Sequence, residues 1–181
     1  MPLPFPGASS PAVGFDEPME MLLACHDRVR RSLDLLRRLA ERVAEGRVDA
    51  DVQSAATDVL RYFDLAAPHH HEDEERHVFP CVLAHTPDAA VRDAVARLRE
   101  DHVAMAALWA ALREPLAALA AGHASAFGAP QAELAARFRA LYEAHARTEE
   151  GLVFPAARAL LDEPALRRAG DEMASRRGAR R

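Results

Sequence analysis

The chain has 181 residues with a formal net charge of −5, and half of its residues are apolar but only 6% aromatic. That length suits one domain with a sizeable core, and the alanine-rich, aromatic-poor composition favours closely packed helices. The acidic balance leaves no electrostatic footprint for nucleic acid or for an anionic membrane surface. All 23 basic residues are Arg, and Lys, Asn and Ile are absent, which is a genome-composition bias with no chemical meaning here.

Residues 1–15 carry Pro2, Pro4, Pro6 and Pro11 and read as an extended arm. They have neither the basic start nor the apolar core of a secretory signal, and no run approaches the ~18–20 apolar residues of a membrane span. Cys25 and Cys81 are too few for a disulfide framework, so a reducing compartment and a cytoplasmic location are expected.

The first helix is predicted from a cap at Asp16 to Gly46, with Leu22, His26, Val29, Leu33, Leu36, Ala40 and Val43 on its buried stripe. Asp49 caps the second. Its stripe is predicted as Val52, Ala56, Val59, Phe63, Ala66, His70, Glu74, His77 and Cys81, with a kink at Pro68 and the regular helix ending near Pro80. Thr86 and Pro87 are predicted to open the third helix, which carries Val91, Val95, Leu98, His102, Met105, Trp109, Leu112, Leu116 and Leu119 inward and closes at Gly122. After a loop, Pro130 opens the fourth, with Leu134, Phe138, Leu141, His145, Glu149, Leu152 and Ala156 inward. Residues 162–181 are expected to form a short helix and a frayed, Arg-rich tail containing Arg176, Arg177, Arg180 and Arg181.

Four such helices over residues 16–161 predict an all-α, up-down-up-down bundle. The chain also repeats itself. His70–Pro80 reads HHEDEERHVFP, and seventy-five residues on His145–Pro155 reads HARTEEGLVFP, with six of eleven positions identical. His26 and His102 are spaced by 76, so the bundle reads as a duplicated helical hairpin. In each copy a His precedes a Glu by four residues, which stacks both on one helix face. Antiparallel packing brings His26, His70, Glu74, His102, His145 and Glu149 to one level of the core. Burying two carboxylates and four imidazoles without compensation costs several kcal/mol per charged group, and metal cations remove that penalty. Imidazole suits Fe, Zn and Cu, and a carboxylate can bridge two ions. A ferritin-like site is not supported: it needs a Glu-x-x-His pair on two helices, and the partner of Glu74 and His77 would fall on Leu152.

These residues, with the shared Phe-Pro, resemble the hemerythrin-like, or HHE cation-binding, domain family over Asp16 to Leu161. The resemblance implies two non-haem iron ions, oxo- or hydroxo-bridged, with Glu74 and Glu149 bridging, His26 and His70 on one iron and His102 and His145 on the other. It also implies a small-molecule partner such as O2, peroxide or nitric oxide. Two departures weigh against reversible oxygen storage and toward sensing or redox turnover. Ala106 stands where oxygen carriers have a second His one turn after His102, and His145 precedes Glu149 by four residues instead of five. His77, aligned with Leu152, and His71, aligned with Ala146, are the additional candidate ligands. Glu75 and Glu150 either orient a ligand or face solvent. The competing expectations are an enzyme turning over peroxide, nitric oxide or ferrous iron, and a zinc or metal-free helical module. Sensing would need a protein partner or a homodimer.

Overall fold

The structure, a computed structural model, describes residues 14–123 and 127–179. Helix α1 spans Pro18–Ala44, α2 covers 50–85, α3 spans Ala89–Ala120, α4 covers 129–160 and α5 spans Glu163–Arg176. No strand occurs among the described residues. Helices α1 to α4 pack as a ring, each on its neighbours and α1 on α4, giving the expected up-down-up-down bundle. The turns that reverse the chain rest on Gly46 and Gly122, whose φ of 75° and 88° falls in the left-handed region that a side chain disfavours.

Helices α2 and α4 run through their prolines instead of stopping at them. In α2, Ala50–Arg61, Ala67–Asp73 and Phe79–His85 are joined by π turns at Tyr62–Ala66 and Glu74–Val78; α4 has one π turn, Glu149–Val153, between Ala129–Thr148 and Phe154–Leu160. The residue that follows each π turn precedes a proline, and its N–H closes the turn by reaching back five residues to a carbonyl: Ala67 to Tyr62, Phe79 to Glu74, Phe154 to Glu149. The wider turn relieves the clash of the proline ring with the preceding carbonyls, so the helix continues past Pro68, Pro80 and Pro155.

Each π turn also adds one residue to the helix, which corrects the predicted stripes. After Phe63 the stripe of α2 that the π turns set is Ala67, His70, Glu74, Val78 and Val82, with Asp73 and Phe79 buried beside it, not Ala66, His77 and Cys81. In α4 it is Val153 and Ala157 in place of Leu152 and Ala156; before the π turn, Ala135 and Tyr142 are buried where Leu134 and Leu141 are expected, a difference the π turn does not cause. Two caps differ as well. Helix α1 starts after Glu17, with no side-chain cap bond, and Asp88 caps α3 by accepting from Ala90 N at 2.8 Å. Asp49 caps α2 as expected, accepting from Val52 N at 3.1 Å.

The apolar core is in two parts. One holds Val29, Leu33, Leu36, Val59, Phe63, Met105, Leu112, Leu116 and Phe138; the other holds Leu22, Val78, Phe79, Val95, Leu98, Val153 and Phe154. On every helix of the ring the chain crosses from one to the other at a histidine: Leu22 to Val29 across His26, Ala67 to Val78 across His70, Leu98 to Met105 across His102, Tyr142 to Val153 across His145. A polar layer is thereby enclosed between two dry ones. By length and hydropathy α3 qualifies as a membrane span, but in the bundle its stripe from Val91 to Leu119 is committed to the core.

Helix α5 packs Ala169 and Met173 on Met21, with Phe15 alongside. The basic residues that follow do not fray. Arg176 and Arg177 each reach the fully buried carboxylate of Asp73 at 2.6 Å, which fixes the C-terminal segment to α2. Arg180, Arg181 and residues 1–13 of the N-terminal arm lie outside the described residues.

Candidate metal centre

All six sequence-predicted ligands converge. His26 comes from α1, His70 and Glu74 from α2, His102 from α3, and His145 and Glu149 from α4; every one is buried and the two glutamates have no exposed surface. They form two clusters that share both acids: His26, His70, Glu74 and Glu149 in one, Glu74, His102, His145 and Glu149 in the other. Within each cluster the ligand atoms lie within 4.8 Å of one another.

The contacts show how the acids are shared. Glu74 turns Oε1 to His70 Nε2 at 3.2 Å and Oε2 to His102 Nε2 at 3.4 Å. Glu149 turns Oε1 to His145 Nε2 at 3.2 Å and Oε2 to His26 Nε2 at 3.1 Å. Each carboxylate thus meets the His of its own helix with one oxygen and the lone His of the opposite hairpin with the other.

A second layer fixes which nitrogen faces inward. His26 Nδ1–H donates to Glu150 at 2.8 Å, His102 Nδ1–H to Glu75 at 3.2 Å, and His145 Nδ1–H to Asp101 at 3.3 Å. An ionised carboxylate can only accept, so these bonds place the proton on Nδ1 and leave the Nε2 lone pair for a ligand role. Arg30 grips Glu150 through both oxygens, at 2.6 and 2.8 Å, and Arg99 holds Glu75 at 2.9 Å. Burial would raise the Glu150 carboxyl, but Arg30 and His26 outweigh it and hold it below its ordinary value. Phe154 stacks on His26 at 5.4 Å and Phe79 on His102 at 5.7 Å, closing the outer faces of those rings.

The protonation of the two acids is split. Burial, reinforced by the neighbouring Glu149, pushes the Glu74 carboxyl well above its ordinary value. Burial acts on Glu149 too, but His145 and His26 outweigh it and hold Glu149 well below. Burial also lowers His70 and His102, which keeps both imidazoles neutral, while Glu149 and Asp101 overcome burial at His145 and raise it.

The residues fit a metal on their own chemistry. His26 Nε2, His102 Nε2, His145 Nε2 and both oxygens of Glu74 and of Glu149 are buried with no hydrogen-bond partner, despite their short separations. A buried polar atom left so costs about 1–3 kcal/mol, more when charged, and seven of them facing one another mark a place built for cations.

The other candidates stand elsewhere. The π turn rotates His77 off the Glu74 face, and its Nε2 pairs with Glu172 of α5 at 2.7 Å. His71 belongs to neither cluster but stacks on His102. Of the two options for Glu75 and Glu150, orienting a ligand is the one realised. Sequence reasoning missed Asp101, Arg30 and Arg99. Asp101 has no counterpart in the first half of the repeat, where the 76-residue offset falls on Cys25, and His70 Nδ1 correspondingly has no partner.

The fold and the site together define a four-helix bundle with two adjoining clusters of candidate metal ligands in its core. The hemerythrin HHE cation-binding domain matches residues 17–168, and the chain belongs to that family. The chain is also similar to an uncharacterized protein of Haemophilus influenzae (strain ATCC 51907 / DSM 11121 / KW20 / Rd), 31% identical over 163 residues that cover 90% of this chain and 91% of the relative.

Proposed function

We propose that the protein holds two iron ions between Glu74 and Glu149 and uses them to bind or sense O2 or a related small oxidant. The observation that carries the reading is the sharing of both acids by two imidazole pairs. His26 and His70 would hold one ion and His102 and His145 the other, with one oxygen of each glutamate on each side. A structural zinc site closes with four ligands around one ion and has no use for two spanning carboxylates, so it accounts for the donor set poorly.

Iron held this way supplies redox chemistry toward O2, peroxide or nitric oxide. The chain's own part is to hold and orient. Glu75, Glu150 and Asp101 keep Nδ1 protonated on three imidazoles, Phe79 and Phe154 cover two of them, and the apolar layers above and below exclude water. Four protein donors per ion leave coordination open to a small molecule. The second reading is a redox enzyme turning over peroxide, nitric oxide or ferrous iron. It is favoured by a cavity of about 320 Å³ between His71, Ala106, Trp109 and Tyr142, which gives a small substrate room against His71, the ring stacked on His102.

The test is metal content and optical spectrum of protein purified without added metal, taken before and after anaerobic reduction and on return to air. About two irons per chain, with a spectrum that cycles reversibly with O2 and no net consumption, supports binding or sensing. Direct return to the oxidised form with consumption of oxidant supports the enzyme. A single zinc, or no metal, refutes both.

A further inference from the structure

Among the described residues, every buried imidazole nitrogen without a partner belongs to a cluster histidine or to His71. His71 Nε2 is wholly enclosed and unpartnered, the same liability that marks the inward atoms of the ligands. Its ring lies face to face on that of His102, with centroids 4.1 Å apart and planes 14° from parallel. That is closer than the ligand pairs are to each other: 5.0 Å for His26 and His70, 4.8 Å for His102 and His145. His145 stands 6.0 Å from His71, and Tyr142 stacks on it at 5.7 Å.

The cavity of about 320 Å³ lies against the same ring, bounded also by Phe63, Met105, Ala106, Trp109 and Tyr142. Ala106, one turn beyond His102 on α3, lines this cavity together with His71. That cluster has two imidazoles and two carboxylates, fewer donors than the five or six an iron with such ligands takes.

We propose that His71 is a displaceable third imidazole for the ion held by His102 and His145, filling from α2 the place that Ala106 leaves on α3 and yielding it to a small anion that enters through the cavity. The inference rests on the two-ion reading above. As placed, His71 stands just outside the cluster, so ligation takes a rotation of its side chain, and the cavity provides the room.

The test compares wild-type and His71→Phe proteins, stripped of metal and titrated with cobalt(II). It reads ions bound per chain, the affinity of the weaker-held ion, and the visible absorption of bound cobalt, which strengthens as coordination falls below octahedral. Phe keeps the ring stack, and an unchanged melting temperature checks the fold. His71→Phe is expected to take up both ions but to hold the weaker one about tenfold to a hundredfold less tightly. Its cobalt band is stronger, and azide binds it more tightly than it binds the wild type. Adding Ala106→His to that variant restores affinity and band toward wild type, because position 106 lies one turn beyond His102 and borders the same cavity as His71. Equal cobalt affinity and identical spectra in wild type and His71→Phe overturn the inference and leave the two-ion reading standing. A wild-type protein that takes up one ion or none overturns both.

Discussion

Glu74→Gln should make the metal-free protein more stable and the metal-loaded protein less so. Glu74 has no exposed surface, and burial beside Glu149 pushes its carboxyl well above the ordinary value of 4.5. A carboxyl that burial holds protonated in the fold but that ionises freely when unfolded weakens the fold above the unfolded value, by about 1.4 kcal/mol for each pH unit between the folded and unfolded values. Gln has nearly the same shape and no proton to hold. The variant should therefore be the more stable at pH 7 without metal, and for a chain of this length each kcal/mol gained raises the melting temperature by about 2–4 °C.

The sign follows from the direction of the shift. A raised carboxyl favours the fold below its unfolded value, and that advantage is lost as pH rises toward the folded value. The gap between variant and wild type should thus narrow from pH 7 to pH 5. His70, His102 and His145 titrate in both proteins and drop out of the difference. With metal at about 1,000 times its dissociation constant the wild type gains about 4.1 kcal/mol, a gain the variant would lose with the carboxylate that the two-ion reading places on both ions, so the order of stabilities is expected to reverse. Thermal unfolding followed by circular dichroism, with chelator and with ferrous iron, reads all of this. A variant no more stable than wild type in chelator at pH 7, or a gap that fails to narrow at pH 5, would refute Glu74 as the proton carrier.

Other perturbations test the layers around the site. Glu150→Gln or Glu75→Gln should weaken metal binding about tenfold to a hundredfold while the metal-free melting temperature moves little, because each replaces an orienting carboxylate by a neutral, weaker acceptor and removes no candidate ligand; a metal titration checks it. Asp73→Asn should cost about 2–4 kcal/mol in urea unfolding, since it strips a fully buried carboxylate from Arg176 and Arg177, which are partly exposed. Glu172 is held down to about 2 by Arg176 and His77, so its contribution to docking α5 is present above pH 4.5 and lost as pH falls through about 2. Hydrogen-exchange protection over residues 163–176, taken relative to the intrinsic exchange rate at each pH, should accordingly be steady above about pH 4.5 and fall progressively from there to about pH 2.

The helices and the six converging ligands were legible because stripes at steps of three and four place a residue on a face without any knowledge of its neighbours. His26 between Leu22 and Val29 and His102 between Leu98 and Met105 could be read that way. What periodicity could not carry was register beyond a π turn. A stripe extrapolated through Tyr62–Ala66 and Glu74–Val78 reaches His77 and Cys81, whereas the chain buries Val78 and Val82. The prolines are the available signal: Pro68 reads as a kink and Pro80 as the near end of the regular helix, whereas the helix widens ahead of each and continues. The docking of α5 was hidden for another reason. Arg176 and Arg177 look like a solvated tail until their partner is known to be Asp73, about a hundred residues earlier and itself invisible as a buried charge.

The internal repeat was visible as letters before its meaning was. In each half the motif reads Glu-Glu, two residues, then Val-Phe-Pro, and the structure gives every fixed position a task. Glu74 and Glu149 are shared between the clusters; Glu75 and Glu150 orient the lone histidine; Val78 and Val153 are buried; Phe79 and Phe154 stack on that same histidine. The prolines, Pro80 and Pro155, come with the π turn that begins at the shared acid. The orienting and stacking tasks cross between halves, because Glu75 and Phe79 serve His102 while Glu150 and Phe154 serve His26. One hairpin alone would hold an orienting acid and a stacking ring for a histidine it does not possess. Two copies facing each other complete both sets at once, which explains why the duplicated residues are those of the motif while the surrounding helices have diverged to Cys25 against Asp101 and His71 against Ala146.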